Sequence, residues 1–150
     1  LEGGASVQEI DRAWMAGHGA AAGPFGWMDY VGLNVPYEAW RGRLEDPEVG
    51  EFAARVVGFL EPFIEKGHLG IKSGQGFYTW PEAEFLEPGF TDAGEPREDL
   101  YRRMFGALAG VALVLVADGI AEIADVDRAW MIVQRAPAGP LGLVDRFGLD

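Results

Sequence analysis

Residues 2–34 read EGGASVQEIDRAWMAGHGAAAGPFGWMDYVGLN, and residues 118–150 read DGIAEIADVDRAWMIVQRAPAGPLGLVDRFGLD. The second stretch repeats the first at a constant offset of 116 residues without a gap, and 15 of the 33 aligned positions are identical. Unrelated segments of ordinary composition would share about two such positions. The chain therefore contains two copies of one structural unit. Two copies this far apart do not make a solenoid, whose repeats are usually ~20–50 residues long.

Each copy predicts a helix, a tight corner and a second helix. Ser6, with Glu9 three residues later, has the pattern of a capping box. Apolar residues follow at i, i+3, i+4 and i+7, which places them on one helical face. These residues are Ile10, Ala13, Trp14 and Gly17 in the first copy, and Val126, Ala129, Trp130 and Val133 in the second. We expect Asp11 and Arg12, on the other side of the first helix, to face solvent.

The corner of each copy is a Gly-Pro pair, Gly23-Pro24 and Gly139-Pro140. Proline suits the first turn of a helix, where its missing N–H is not needed. We expect the second helix to end near Gly32 and Gly148, because glycine is a good C-terminal cap.

The rest of the chain predicts more helices and one different segment. Helices are expected at 33–44, 51–66 and 97–118, with Phe52, Val56, Phe59, Leu60 and Phe63 on the apolar side of the middle one. Residues 70–80 (GIKSGQGFYTW) predict a short hairpin or extended loop. Residues 81–96, rich in proline, glycine and acids, predict a linker. We therefore divide the chain into a first unit at 1–80, a linker at 81–96 and a second, partial unit at 97–150.

Composition limits the kinds of partner. The 150 residues carry a net charge of −12, which argues against nucleic acid and anionic membranes as main partners. The chain has no cysteine, which excludes disulfides and cysteine-based metal sites. The longest apolar run, 107–117, is shorter than the ~20 residues that span a bilayer. We expect it to form a buried core helix. The chain begins LEGGAS, with no signal peptide or initial methionine. We expect it to be a piece of a longer protein, or a processed or engineered one.

Several patterns imitate known binding sites. Gly17-His18-Gly19 with Ala22 matches a dinucleotide fingerprint, but a helix precedes it where a strand is needed. Gly70-Ile71-Lys72-Ser73 suggests a phosphate-binding loop, but its upstream spacing is wrong. We reject both interpretations.

Other chemistry-bearing residues are better explained as structural. His18 and His68 are the only histidines, and no acid stands at a convincing spacing from either. Asp29 recurs as Asp145, and a repeated acid is more often a structural cap than a catalyst. The aromatic stripe of Trp14, Phe25, Trp27 and Tyr30 is more typical of a core than of a cofactor site. We therefore predict no catalytic, cofactor-binding or metal-binding residue in this chain.

The chain resembles the C-terminal domain of the L-3-hydroxyacyl-CoA dehydrogenases. That family typically shows E-D-I-D-x-A, a glycine-rich corner ending G-P-F, then x-x-D-x-x-G-L-D, and later G-x-K-T/S-G-x-G-F-Y. These runs correspond here to 8–13, 23–25, 29–34 and 70–78. Residues 97–150 resemble the start of a second copy, as in members with tandem C-terminal domains. The resemblance implies an all-α fold of the 6-phosphogluconate-dehydrogenase C-terminal-like type.

The resemblance also implies which parts are missing. The family's NAD-binding domain, which carries a His–Glu catalytic pair, precedes this region, and nothing here matches it. The long helix that opens the family's C-terminal domain carries an asparagine facing the substrate. The first copy starts after that helix, and the second has Arg102, followed by Arg103, at the asparagine position. The family's His-Pro-Met is replaced by Ala at 20–22 and by Ala-Pro-Ala at 136–138.

The resemblance therefore implies part of an NAD-dependent 3-hydroxyacyl-CoA dehydrogenase of fatty-acid or butanoate-type metabolism. The implied roles are to wall the acyl-CoA cleft and to form a homodimer contact in a cytoplasmic enzyme, with NAD bound only by the full-length protein. The alternatives are a non-catalytic helical dimerisation module and an acyl-CoA-binding module.

Two further expectations concern packing. Trp14 and Trp130 should occupy equivalent buried positions. The surface that the first copy's missing helix would cover should be filled by the 107–117 run, from the same chain or a partner.

Overall fold

A computed structural model describes residues 4–147. Within that range the chain forms seven α-helices and no named β-strand, which confirms the all-α prediction. The helices are α1 (Val7–His18), α2 (Pro24–Val31), α3 (Asn34–Arg41), α4 (Gly50–Glu65), α5 (Glu98–Ala117), α6 (Ile123–Gln134) and α7 (Pro140–Phe147). The predicted end of the second copy at Gly148 lies outside the described residues.

The chain folds as two compact units, and their boundaries do not coincide with those of the duplicated segments. Residues 1–23 and 89–150 form one, here called the terminal unit, and residues 24–88 form the other, the central unit. The first copy therefore contributes α1 to the terminal unit and α2 to the central unit. The predicted division at 81–96 concerns duplication in the sequence and stays a prediction.

In the terminal unit, α1 begins at the predicted capping box. The Glu9 amide donates to Ser6 Oγ at 3.1 Å, and the Ser6 amide donates to a Glu9 carboxylate oxygen at 2.7 Å. Helix α1 packs against α5, and α7 packs against both α5 and α6. A small core forms around Trp14, Ala20 and Tyr101, with Met104, Phe105, Leu108 and Trp130 packed against it.

From Met104 to Ala117, helix α5 carries only apolar residues and glycine, but it is largely uncovered. Tyr101, Ala109 and Ala112 are its buried residues. By length and composition α5 could cross a membrane. Only 17% of its most apolar window is buried in the fold, whereas a core helix would be mostly buried. The expectation that 107–117 is a buried core helix is therefore wrong. Its packed surface is the side that carries Tyr101, Ala109 and Ala112, so the other sides of its later turns remain exposed.

The two copies are buried unequally. Ala13 and Trp14 of α1 are buried, whereas Ala129 is exposed, Val133 is 60% exposed and Trp130 is half-buried. The face predicted for the second copy is therefore only partly a core face. The reason is that α5 packs along α1, whereas α6 reaches the core around Trp14 and Tyr101 through Trp130.

The central unit is built from α3 packed on α4 and from a long turn. Leu33 and Leu60 are almost completely buried, while Phe52 and Phe59, on the predicted apolar side of α4, remain substantially exposed. Residues 70–80 form a 3-10 turn at Ile71–Ser73 and two isolated bridges, so this segment is an extended loop rather than a hairpin.

The predicted linker contains packed residues as well as exposed ones. Short 3-10 turns at Glu84–Leu86 and Phe90–Asp92 bury Phe85 in the central unit and Phe90 in the terminal unit. The boundary between the compact units falls at residues 88 and 89, inside this segment.

Candidate functional site

The 70–78 signature forms a turn bound to a buried carboxylate. Asp29, on α2, is 0% exposed. Its Oδ1 accepts a hydrogen bond from the Phe77 amide at 2.9 Å, and its Oδ2 accepts from the Tyr78 amide at 2.9 Å. The Trp80 indole Nε1 donates to the same Oδ2 at 3.0 Å. Hydrogen bonds to an ionised carboxylate are stronger than neutral ones. Asp29 therefore anchors the turn to α2.

The glycines of this signature allow the turn to approach Asp29 closely. A Cβ on Gly70, whose φ is +103°, would overlap the Asp29 carbonyl group, and a Cβ on Gly76 would overlap the Asp29 carboxylate. Ser73 is also occupied within the turn. Its Oγ accepts from the Leu69 amide at 2.8 Å and lies within hydrogen-bond distance of two backbone carbonyls. The glycine spacing is thus explained by a carboxylate-bound turn, and no helix follows it to form a phosphate site.

A second carboxylate fixes the Gly-Pro corner of the second copy. Asp127, on α6, accepts hydrogen bonds from the Leu141 amide at 2.9 Å and from the Gly142 amide at 2.8 Å. These amides are in the first turn of α7, where no partner exists within the helix. A Cβ on Gly139 would overlap Asp127. The acid therefore caps α7 from a neighbouring helix, and the corner glycine makes room for it.

The equivalent acid of the first copy, Asp11, is also buried, at 0% exposure. A Cβ on Gly23 would overlap Asp11, as at Gly139 and Asp127. Arg12 donates from Nε to the Phe90 carbonyl at 2.8 Å, and its guanidinium lies 4.9 Å from the centre of the Phe90 ring. The expectation that Asp11 and Arg12 face solvent is therefore wrong. The burial of Asp11 could have been predicted from the repeat, because both the acid and the corner glycine are identical in the two copies.

The buried histidine of the terminal unit lies in an aromatic cluster. The Trp130 indole Nε1 donates to His18 Nε2 at 2.7 Å, and the Trp14 ring stacks on the imidazole with centroids 4.6 Å apart. An indole only donates, so Nε2 is unprotonated and the proton of neutral His18 is on Nδ1. Among the described residues, Nδ1 has no hydrogen-bond partner. Burial lowers the pKa of His18.

This arrangement does not make His18 a general base. Its basic nitrogen is held by Trp130, so the nitrogen is not open to a substrate. The hydrogen bond between His18 and Trp130 joins the first copy to the second. The second copy has Gln134 in place of His18, so comparing the two copies could not have predicted this bond.

A cavity of about 510 Å³ lies in the terminal unit beside α1. Arg12 and Arg97 line it together with Glu9, Asp92 and Glu95, so its lining carries charges of both signs. Arg97 pairs with Glu9 at 3.4 Å and with Asp99 at 2.9 Å, and its hydrogen bond lowers the pKa of Asp99 to about 2. Because Arg97 is paired and the acids outnumber the bases, the cavity is poorly suited to a phosphate-rich ligand such as CoA.

The remaining predicted positions lie outside any reactive arrangement in the described part of the chain. Helix α1 runs through His18 to a left-handed cap at Gly19, so the Gly17–Ala22 segment has no strand before it. Arg102 is exposed and pairs with Glu98 at 2.8 Å. Asp145 is exposed. No group of three metal-ligating side chains is found among residues 4–147.

Comparisons with known proteins agree with these features. The family model described as "3-hydroxyacyl-CoA dehydrogenase, C-terminal domain" matches residues 1–80 and 100–150. A probable 3-hydroxyacyl-CoA dehydrogenase of Caenorhabditis elegans is 36% identical over 81 residues, covering 52% of this chain and 26% of that protein. A mitochondrial hydroxyacyl-coenzyme A dehydrogenase of Rattus norvegicus is 37% identical over 79 residues, covering 52% and 24%. A 3-hydroxybutyryl-CoA dehydrogenase of Mycobacterium tuberculosis is 36% identical over 81 residues, covering 52% and 27%. The matched segment is thus about a quarter of the length of these relatives.

Proposed function

Because the chain belongs to the 3-hydroxyacyl-CoA dehydrogenase C-terminal domain family, we propose that it supplies the helical part of an NAD-dependent 3-hydroxyacyl-CoA dehydrogenase. The complete enzyme would transfer a hydride between C3 of a hydroxyacyl-CoA and NAD. This chain would wall the acyl-CoA cleft and contribute the contact of a homodimer. The observation that carries the proposal is the family match over both copies.

The geometry of the central unit supports a scaffolding role in that enzyme. The 70–78 turn is fixed by contacts within the unit. Asp29 accepts hydrogen bonds from the turn, and Gly70 and Gly76 allow the turn to come close to Asp29. Such a turn can present a rigid surface to a substrate without taking part in proton or hydride transfer.

The described residues do not fit NAD. They contain no strand followed by a glycine-rich turn and a helix, which is the arrangement that binds a dinucleotide. We therefore assign NAD binding and catalysis to other parts of the complete enzyme and derive no step of the reaction here. The lack of cysteine fits a reducing compartment, and we propose a cytoplasmic location.

The second candidate is a helical dimerisation module without chemistry. The exposed apolar residues of α5 and α6 favour it, because large exposed apolar surfaces commonly mark interaction sites. An acyl-CoA-binding module is a third candidate.

Two measurements separate these functions. The gene sequence upstream of the codon for Leu1 should encode, in the same reading frame, a segment typical of a β-strand followed by G-x-G-x-x-G. Its absence would favour the dimerisation module. The purified 150-residue chain should show no NADH formation at 340 nm with 3-hydroxybutyryl-CoA and NAD, and no heat of NAD binding by calorimetry.

A matched preparation of a complete relative, such as the Mycobacterium tuberculosis 3-hydroxybutyryl-CoA dehydrogenase, serves as the positive control. Turnover by this chain alone would contradict the assignment of catalysis to other parts of the enzyme. Tight binding of acetoacetyl-CoA without turnover would instead indicate the acyl-CoA-binding module.

A further inference from the structure

Two neighbouring cavities of the terminal unit form one groove beside α1. The cavity of about 510 Å³ described above shares four lining residues with a second cavity of about 260 Å³. The shared residues are Ala13, Ala16, Pro96 and Arg97. The larger cavity alone lies within the range of pockets that hold small organic molecules, about 300–1,000 Å³. We call this space the α1 groove, with a wide end at the larger cavity and a narrow end at the smaller one.

The wide end of the α1 groove holds a cation with unused donors. Arg12 is half-buried, its guanidinium lies over the Phe90 ring, and its Nε donates to the Phe90 carbonyl. Nη1 and Nη2 have no hydrogen-bond partner among the described residues. A Cβ on Gly94, which lines the same cavity, would lie 3.6 Å from Nη1, so this end of the guanidinium lies at the groove. The fork of a guanidinium binds a carboxylate in a bidentate geometry.

The acids at the wide end show that a simple anion is not the ligand. Glu9 pairs with Arg97, which also pairs with Asp99, so these three charges are used within the protein. Asp92 and Glu95 are exposed, and their carboxylates have no ion pair or hydrogen bond among residues 4–147. Two unpaired carboxylates beside one guanidinium repel a purely anionic ligand and attract a cationic group.

The narrow end of the α1 groove is mostly apolar. It is lined by Ala13, Ala16, Gly17, Pro96 and Tyr101, beside Arg97 and Glu98. A Cβ on Gly17 would lie 2.5 Å from the Tyr101 ring, so the missing side chain lets the ring lie close to α1. Ala16 is exposed at this end. A ligand with an apolar side chain can therefore remove its own apolar surface and that of Ala16 from water.

We propose that the α1 groove binds a zwitterion with an apolar side chain, which is the chemistry shared by free amino acids and short peptides. The ligand's carboxylate accepts hydrogen bonds from Nη1 and Nη2 of Arg12. Its ammonium group faces Asp92 and Glu95, and its apolar side chain lies at the narrow end beside Ala16 and Tyr101. This site is separate from the proposed enzyme reaction and does not rest on the dehydrogenase assignment.

Isothermal titration calorimetry of the purified chain, without substrate or cofactor, tests the proposal with four probes. L-phenylalanine and the dipeptide L-phenylalanylglycine carry both charges, whereas phenethylamine lacks the carboxylate and 3-phenylpropionate lacks the ammonium group. At least one of the two zwitterions should bind with a Kd of about 1 mM or lower. The tighter of the two identifies the source of the ligand as a free amino acid or a peptide. Phenethylamine and 3-phenylpropionate should each bind at least about tenfold more weakly, because each leaves one charged side of the groove without its partner.

A substitution that fills the groove tests its position. Ala16→Leu should weaken binding of the tighter zwitterion by at least about tenfold, because Ala16 lines both cavities and the larger side chain would occupy the space. Ala54→Leu is the matched control, since Ala54 is an exposed alanine of α4 in the central unit. It should bind like the wild type.

A charge substitution tests the site of the ammonium group. The double variant Asp92→Asn and Glu95→Gln should weaken the zwitterion at least about tenfold and leave 3-phenylpropionate no weaker, because only the zwitterion carries a positive charge. The double variant Glu82→Gln and Glu84→Gln removes the same number of charges from exposed residues of the central unit. It should bind both probes like the wild type.

Three results would overturn the proposal. The first is no heat of binding from either zwitterion at about tenfold higher concentration than the expected Kd. The second is binding of 3-phenylpropionate or phenethylamine as tight as that of the zwitterions, and the third is unchanged binding in the Ala16→Leu variant. Circular dichroism checks that each variant is folded, and the comparison of the four probes needs no variant. None of these outcomes bears on the enzyme assignment.

Discussion

Asp127 joins α6 to α7 with one side chain and requires a glycine at the corner between the two helices. Its carboxylate binds two amides of α7, and Gly139 leaves room for it. The capping box at Ser6 could be predicted because its partners are three residues apart. The role of Asp127 could not be predicted from helical periodicity, since its partners are 14 and 15 residues away.

We expect Asp127→Ala to lower the free energy of unfolding by about 1–2 kcal/mol, the usual cost of losing a helix cap. The two amides of α7 would lose their acceptor. Asp125→Ala is the control, because Asp125 is exposed and pairs with Arg128 on the surface, where ion pairs contribute about 0–1 kcal/mol. Urea denaturation measures both, and equal losses would show that Asp127 is not a cap in solution.

Gly17 can be tested with the residue that replaces it in the second copy. Gly17→Val should lower the free energy of unfolding by about 1–3 kcal/mol through overpacking against Tyr101. The same substitution should cost much less in a Tyr101→Ala background, because the clashing ring is gone. Gly58→Ala, at a helical glycine with no atom within 4 Å of the added Cβ, should instead stabilise the chain by up to about 1 kcal/mol. Equal costs of Gly17→Val in both backgrounds would contradict the clash.

His18 gives the chain a pH-dependent stability whose sign follows from burial. Burial lowers the pKa of His18 in the folded chain below its ordinary value of 6.5. The unfolded chain therefore binds the proton more readily. The contribution is fully present above about pH 6.5 and is lost as the pH falls below that value towards the folded-state pKa. Protonation of Nε2 would also break the bond from Trp130.

We expect the free energy of unfolding to fall more steeply between pH 7 and pH 5 in the wild type than in His18→Gln, which has the residue of the second copy. Urea denaturation at several pH values measures the two slopes. Carboxylates titrate in both proteins, so the difference between the slopes isolates His18. Parallel slopes would show that His18 has its ordinary pKa in the folded chain.

Among the elements, α1 and α6 have similar sequences but different surroundings. The helix boundaries, the Gly-Pro corners and the loop at 70–80 followed from periodicity and from glycine and proline positions. The unequal burial did not, because it depends on where α5 packs. Apolar composition predicted that α5 would be buried, yet an apolar helix is buried only if other elements cover all of its sides.

Substitutions of Trp14 and Trp130 test the difference in burial between α1 and α6. Trp14 is 5% exposed, and its replacement by Ala should cost about 3–5 kcal/mol. Trp130 is half-buried, so Trp130→Ala should cost less. Chemical denaturation of the two variants below the concentration at which dimers form gives the comparison. Equal losses would indicate that α6 is covered in the single chain.

For the whole molecule, the family could be inferred from the order of short motifs, and the family match confirms it. The structure adds that the 70–78 motif is built around Asp29. The grouping into terminal and central units could not be predicted, because it separates α1 from α2 within one copy and joins α1 to α5 across about 80 residues. Duplication shows which segments are homologous, whereas compactness depends on which of them pack together.

The net charge of −12 bears on how two copies would associate. Two such chains repel one another, while the exposed apolar residues of α5 and α6 attract through contact that salt does not screen. Salt shortens the range of charge repulsion, to about 10 Å at 0.1 M and about 3 Å at 1 M. We therefore expect the dimerisation constant measured by sedimentation to increase when sodium chloride is raised from low concentration to physiological strength and above. The Val111→Lys variant should dimerise more weakly than the wild type at every salt concentration, which separates the apolar contact from general salting-out. Dissociation on adding salt would mean that ion pairs hold the two chains together.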